Sequence, residues 1–310
     1  TGALAAWIAT GIAALMLAAP GLVQATDDDE DDGHGQHRRA QGLPHHVVVP
    51  SWPKALPNNW IMGQVAGVAV DRHDRIWILQ RPKSNTVDEL GAEQEPPRSM
   101  CCVAAPPVLV FDTRGNLLES WGGPGAGYDW PQTEHGIWVD RQDNVWIGGN
   151  AANDRHILKF STDGRFLLQI GKPSTDPLDS KRTDILGQVA SLTVDDAATE
   201  VYLADGYGNK RIVVYDADTG AFKRLWGAYG NAPDDTPPGA YDPEQAPATQ
   251  FRNPVHCVRI ANDGQVYVCD RVNNRIQVFS KAGQFVKEFF VRRETRSEER
   301  RVGKECRSRW

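Results

Sequence analysis

Two of the eight histidines in this 310-residue chain head apolar runs that read alike, His135-Gly-Ile-Trp-Val-Asp140 and His256-Cys-Val-Arg-Ile-Ala261. Imidazole nitrogen ligates transition metals and can move protons near neutral pH. Two further runs have the same pattern but carry Ala66 and Ala190 at the corresponding place. Histidine alternating with a small residue would let several imidazoles converge on one ion, and three protein ligands with an open position is the catalytic zinc arrangement. The plainer alternative is that each His only hydrogen-bonds a neighbouring loop. A second set of residues follows the strand after each run: Arg81, Asn150, Gly206-Tyr207 and Arg271. Guanidinium forks match a carboxylate at two points, which would suit an anionic substrate. Either arginine could instead brace a loop through Asp205 or Asp270. Tyr207 lies in Asp205-Gly-Tyr-Gly208, a turn sequence that predicts an exposed phenol. A nearby cation would lower its pKa toward base chemistry.

These residues recur because the elements that carry them recur. Between Gly63 and Phe290 a pattern repeats four times: an apolar strand, a polar turn, a second strand with an aromatic residue, then a further hairpin. The first hairpins are GVAVDRHDRIWIL from Gly67, GIWVDRQDNVWIG from Gly136, SLTVDDAATEVYLAD from Ser191 and CVRIANDGQVYVCD from Cys257. Turns such as Thr113-Arg-Gly115, Thr162-Asp-Gly164 and Lys281-Ala-Gly283 supply the residues that tight hairpins need. Repeated four-stranded units without helical periodicity predict an all-β fold, a β-propeller. The first strand of each blade would line the central channel, putting Ala66, His135, Ala190 and His256 in one axial column. Six blades are expected in the complete ring, of which about four are present. His46-Val-Val-Val49 would then pair as the outer strand of a last blade, and the first and fourth blades would expose unpaired faces. The surplus residues fall in three long loops, Arg81 to Pro107, Gly171 to Gln188 and Gly227 to Pro254. Long loops on a rigid scaffold are where sites are usually built.

The two ends read differently. Residues 1–25 form an incomplete signal peptide, with an apolar stretch and a small-residue cleavage site at Val23-Gln24-Ala25. The expected location is therefore periplasmic or extracellular. Residues 26–42, with the acidic run Asp27 to Asp32 and then His34 and His37, predict a solvated linker. The propeller is assigned to 43–293. Residues 296–310, RSEERRVGKECRSRW, resemble a translated sequencing adapter, so the tail and its Cys306 are read as artefactual. The net charge is −6 and the body remains mildly acidic. Binding to a phosphate backbone needs clustered Lys and Arg, so nucleic acid is excluded as a partner. After signal cleavage no membrane partner is expected, and the protein is expected to be a monomer.

The stretches GQVAGVAVDRHDRIWILQR from Gly63, HGIWVD from His135, DGYGNKRIVVYD from Asp205 and CDRVNNRIQVF from Cys269 carry a specific likeness. Over Gly63 to Phe290 the chain resembles the NHL-repeat lyases that cleave peptidyl-α-hydroxyglycine, the lyase half of the peptide-amidating enzyme, and their bacterial relatives. The resemblance implies zinc bound by His135 and His256, Tyr207 as catalytic tyrosine, and Arg81 and Arg271 as active-site arginines. It also implies a structural calcium held by the main-chain carbonyls of Val68 and Ile137. The family's third His and its neighbouring calcium-binding Asp have no counterpart in this chain. Nor do the animal enzyme's disulfides, whose positions are Gly208, Tyr267 and Val278.

The activity implied is release of an amide and glyoxylate from a small-molecule or peptide substrate bearing a carboxylate. The four blades alone are expected to be inactive. The rival is a non-catalytic NHL propeller that grips a protein or glycan, since fold alone does not decide function. A calcium-dependent lactonase-type propeller fits less well, because its axial ligands are carboxylates and Asn. The cysteines add one structural expectation. Cys257 and Cys269 would face each other if Asn262-Asp-Gly264 closes a three-residue loop, and an exported protein can hold that disulfide. Cys101-Cys102 is either bonded to another loop or free.

Overall fold

The computed structural model describes residues 47–291. The segments read as signal peptide, linker and adapter, with His34, His37 and Cys306, lie outside the described residues. Residues 47 and 48 fall in one compact unit and residues 49–291 in another.

After β1 (Trp60–Ile61), β2 (Gln64–Val70) and β3 (Ile76–Arg81) form a hairpin; β4 (Val103–Ala104) then pairs in parallel with β1. Strands β5 (Val108–Phe111) and β6 (Leu117–Trp121) complete an antiparallel sheet in the order β2-β3-β5-β6. The second sheet holds β7 (Glu134–Val139), β8 (Asn144–Gly149), β9 (His156–Ser161) and β10 (Phe166–Gly171). The third holds β11 (Ser191–Asp195), β12 (Glu200–Asp205), β13 (Arg211–Asp216) and β14 (Phe222–Trp226). The fourth holds β15 (Val255–Ile260), β16 (Val266–Asp270), β17 (Arg275–Phe279) and β18 (Phe285–Phe290). Among the described residues there is no α-helix, only two short 3-10 turns at Pro82–Ser84 and Ala228–Gly230. Four consecutive up-and-down sheets packed through their inner strands are blades of a β-propeller.

The alternation of the strands explains the packing. One face of each blade meets the next: Trp77 and Val110 pack on Val139 and Ile147, Trp146 on Leu192 and Leu203, Tyr202 and Ile212 on Val258 and Val268. The blade turns are pinned by acidic residues. Asp71 accepts the His73 and Arg75 N–H groups and the Trp77 indole; Asp140 accepts those of Gln142, Asn144 and Trp146 in the same way. A short carboxylate closing its own turn is what Asp does in such loops.

The first blade departs from the expected bare face. Ile78, Leu109 and Phe111 are buried there under Trp52, Leu56, Trp60 and Met62, with the Trp52 and Phe111 ring centroids 5.5 Å apart. The segment before β2 thus closes this side of the sheet. Residues 47–49, read as an outer strand, lie in no sheet and are exposed. Cys257 stands opposite Cys269 in the β15–β16 register and is bonded to it, with Cα atoms 4.9 Å apart. The Ala261 N–H donates to Gln265 O, so residues 262–264 close the loop between them. Cys101 and Cys102 are bonded to each other.

Candidate active site

The second strand of each blade ends at one rim and delivers its last or next residue there: Arg81 ends β3, Asn150 follows β8, Gly206-Tyr207 follow β12 and Arg271 follows β16. The inner strands start at the same rim. Ala66 lies in β2, His135 in β7, Ala190 just before β11 and His256 in β15. In three of these blades the register slips at that residue, between Val65 and Gly67, Glu134 and Ile137, and Val255 and Cys257. A bulge re-aims a side chain without ending the strand, and here it turns the axial residue relative to the sheet.

The histidines and the tyrosine converge. The Tyr207 Oη lies 3.1 Å from His256 Nε2, and the Tyr207 ring meets His135 edge to face at 5.1 Å between centroids. The two imidazole centroids are 6.3 Å apart. Arg81 joins them from the first blade. Its Nη2 donates to His135 Nδ1 at 3.3 Å and reaches Asn150 Oδ1 at 3.4 Å, while its Nε donates to the Glu134 carbonyl at 2.8 Å. A guanidinium only donates, so His135 Nδ1 is the acceptor in this contact. Arg271 is half-buried, and its positive charge acts on Tyr207 together with that of Arg81.

Tyr207 is half-buried rather than exposed as its turn sequence suggested, and burial pushes its pKa above the ordinary tyrosine value. The charges of Arg271 and Arg81 and the Asn150 amide act in the opposite direction. Glycine makes the approach feasible: a Cβ on Gly206 would collide with the Val255 backbone, whose N–H donates to Gly206 O at 3.2 Å. Beside His135, Glu134 is buried, bonded to the Trp130 indole at 2.9 Å, and burial raises its pKa.

The alternative that Arg81 or Arg271 braces a loop through Asp205 or Asp270 does not hold. Asp205 is paired with Arg211 and Asp270 with Arg275, each at 2.8 Å and fully buried. Sequence reading also missed Gln188, whose Nε2 donates to the Asn150 carbonyl at 2.8 Å, and Asn253, whose amide faces the Tyr207 loop. Gln188 has φ +66°, an uncommon value for a residue with a Cβ and a sign of local strain at the rim. Val68 and Ile137 lie on inner strands β2 and β7, two positions after Ala66 and His135. Among the described residues no three His, Cys, Asp or Glu side chains cluster as a metal site, so the imidazole pair is one ligand short of three.

A family model described as the NHL repeat matches residues 253–279, the segment from Asn253 through β17. Peptidyl-glycine alpha-amidating monooxygenase B of Xenopus laevis is 29% identical over 246 residues, 76% of this chain and 25% of that protein. The chain is a β-propeller that resembles NHL-repeat proteins and the amidating lyase. Peptidyl-alpha-hydroxyglycine alpha-amidating lyase 1 of Drosophila melanogaster is 28% identical over 254 residues, 77% of this chain and 41% of that lyase. NHL repeat-containing protein 3 of Homo sapiens is 30% identical over 190 residues, 57% of this chain and 46% of that one. The chain thus spans a quarter to just under half the length of these relatives.

Proposed function

We propose that the complete protein is an exported, metal-dependent lyase that cleaves the C–N bond of a peptidyl-α-hydroxyglycine-like substrate. The observation that carries this reading is the meeting of Tyr207 Oη with His256 Nε2 at 3.1 Å, edge-on to His135 and with Arg81 on the His135 ring. The donor set fits zinc in kind. Imidazole nitrogens bind it at about 2 Å, and the two rings stand edge to face with centroids 6.3 Å apart, close enough to share one small ion. His135 and His256 would hold it, with a third ligand from beyond the described residues. When bound, zinc supplies Lewis-acid polarisation of the substrate hydroxyl. Calcium on the carbonyls of Val68 and Ile137 would be structural.

The chain's own residues do the rest. Arg81 and Arg271 present guanidinium groups to the substrate carboxylate and orient it. Burial holds the Tyr207 pKa above the ordinary tyrosine value despite the two guanidinium charges, so the phenolate that accepts a proton would depend on a cation bound beside it. The α-hydroxyl gives its proton to Tyr207 and the C–N bond breaks. The hydroxyl oxygen becomes the carbonyl of glyoxylate, and a proton goes to the departing amide nitrogen. The half-buried rim limits competing water at Tyr207.

The test is Tyr207→Phe in the complete protein. It should cut turnover by about 10²–10⁴-fold while zinc stays bound, as expected for loss of a positioned acid–base group. Turnover equal to wild type removes Tyr207 from the reaction. A wild-type protein that holds no stoichiometric zinc and releases no glyoxylate is a binding propeller instead.

A further inference from the structure

We infer that Asn253 is the residue that positions Tyr207 on His256, an inference that rests on Tyr207 being the proton carrier of the proposed lyase. Its Nδ2 lies 3.0 Å from Gly206 O, 3.3 Å from Tyr207 O, 3.1 Å from Gly208 O and 2.9 Å from Asn209 O. An amide has two N–H groups, so it sits at the shared focus of four carbonyls rather than bonding each fully. Carbonyl dipoles aimed at one point repel each other, and the curl of 206–209 holds only while a donor occupies that point.

The clamp matters because of where Asn253 sits. It lies three residues before His256, at the entry to β15. The segment that carries one imidazole therefore grips the loop that carries the phenol. The Val255 N–H to Gly206 O bond is a second splice in the same stretch. From the other side, the Tyr207 N–H donates to Gln188 O at 3.2 Å and the Gly208 N–H to Gly187 O at 2.6 Å. The 3.1 Å separation of Tyr207 Oη and His256 Nε2 is thus set by backbone anchoring on both sides. Asn253 touches neither imidazole in these contacts, so it is a positioning residue and not a catalytic one.

Three variants of the complete protein test this. Asn253→Ala should speed hydrogen exchange at the 206–209 amides by about tenfold or more, as expected for local opening. It should lower kcat by about a hundredfold, the scale of a misplacement near 1 Å, with KM changed far less and zinc content unchanged. Asn253→Asp keeps the shape but turns a carboxylate oxygen toward four carbonyls, and should be as poor as Ala. Asn253→Ser keeps one donor and should recover part of both readouts; with Asp it carries the comparison if the Ala variant does not fold. Wild-type exchange and kcat in Asn253→Ala, or full function in Asn253→Asp, overturn the inference. If the wild-type protein shows no lyase turnover, the proposed reaction falls, and exchange at 206–209 alone decides the role of Asn253.

Discussion

The first two blades and the last two anchor the same rim with different chemistry. In the third and fourth blades a buried carboxylate at the end of the second strand meets a buried arginine one strand over. Arg211 bonds Asp205 and also the carbonyls of Ser180, Arg182 and Ile185; Arg275 bonds Asp270 and the carbonyl of Gln250. Each arginine so ties a long loop to the strand that delivers Gly206-Tyr207 or Arg271. In the first blade the equivalent residue is Gln80, fully buried, which accepts the Gly63 N–H and donates to the carbonyls of Ala105 and Pro106. In the second, Gly149 leaves room for Asp154, which accepts the backbone N–H groups of Gln132, Thr133 and Ala151. One half relies on ion pairs and the other on amide groups. The lesson is that the repeat conserves the task of fastening a rim residue, not the residue type that performs it.

The difference should appear in stability. Arg211→Met leaves Asp205 buried without its cation and should cost about 3–5 kcal/mol, read as a lower denaturation midpoint. Pairing it with Asp205→Leu should recover much of the loss, because an apolar pair avoids the desolvation of both charges. Gln80→Leu strands one N–H and two carbonyls and should cost less, about 1–3 kcal/mol. Equal losses in the two single variants would break the comparison. Failure of the double variant to recover would show that the other groups the pair holds, the loop carbonyls on Arg211 and the Gly187 N–H and Asn209 amide on Asp205, set the cost rather than the charge on Asp205.

Much of this fold is legible in the residues, and the reason is repetition. Strand alternation and Gly turns mark each hairpin, so aligning the four copies puts His135 and His256 in one column, and the structure brings them to one rim. The facing of Cys257 and Cys269 was readable because a short loop fixes register. The arginine partners were not. Asp205 and Asp270 are close in sequence to Arg81-type rim positions in the repeat, but Arg211 and Arg275 lie directly across from them in the β12–β13 and β16–β17 pairing. Only strand pairing reveals that. The cover of Trp52, Leu56, Trp60 and Met62 over the first blade has no period and so gave no signal. Nor did Asn253, whose role depends on four carbonyls gathering around it. Burial of Tyr207 was hidden for the same reason: a Gly-Tyr-Gly turn reads as exposed unless the neighbouring blade is known to press against Gly206.

The smallest expected effect sharpens the comparison through acid. His156, at the start of β9 in the second blade, is buried; its Nε2 meets the Asp129 carbonyl at 2.6 Å, and its Nδ1 has no hydrogen-bond partner among the described residues. Burial lowers its pKa below the ordinary 6.5, against the opposing pull of Asp129 and Asp154. The fold therefore keeps the imidazole neutral, and a second proton would place a buried charge at Nδ1 with nothing to receive it. The sign follows. Above about pH 6.5 the histidine is neutral in both states and contributes no pH dependence. As pH falls below that value the unfolded chain binds the proton first, and stability drops until the folded pKa is reached. The slope from this one group is at most about 1.4 kcal/mol per pH unit. In the ion-paired half, Arg224 holds Glu200 down to about 2, so its stabilisation fades as pH falls from about 4.5 to about 2, below the range where His156 acts. Denaturation midpoints measured from pH 7 to 5 should fall in the wild type and flatten in His156→Gln, even though that variant starts lower. A wild-type slope unchanged by His156→Gln would place the acid sensitivity elsewhere, and the second blade would no longer be the part of the rim that yields first.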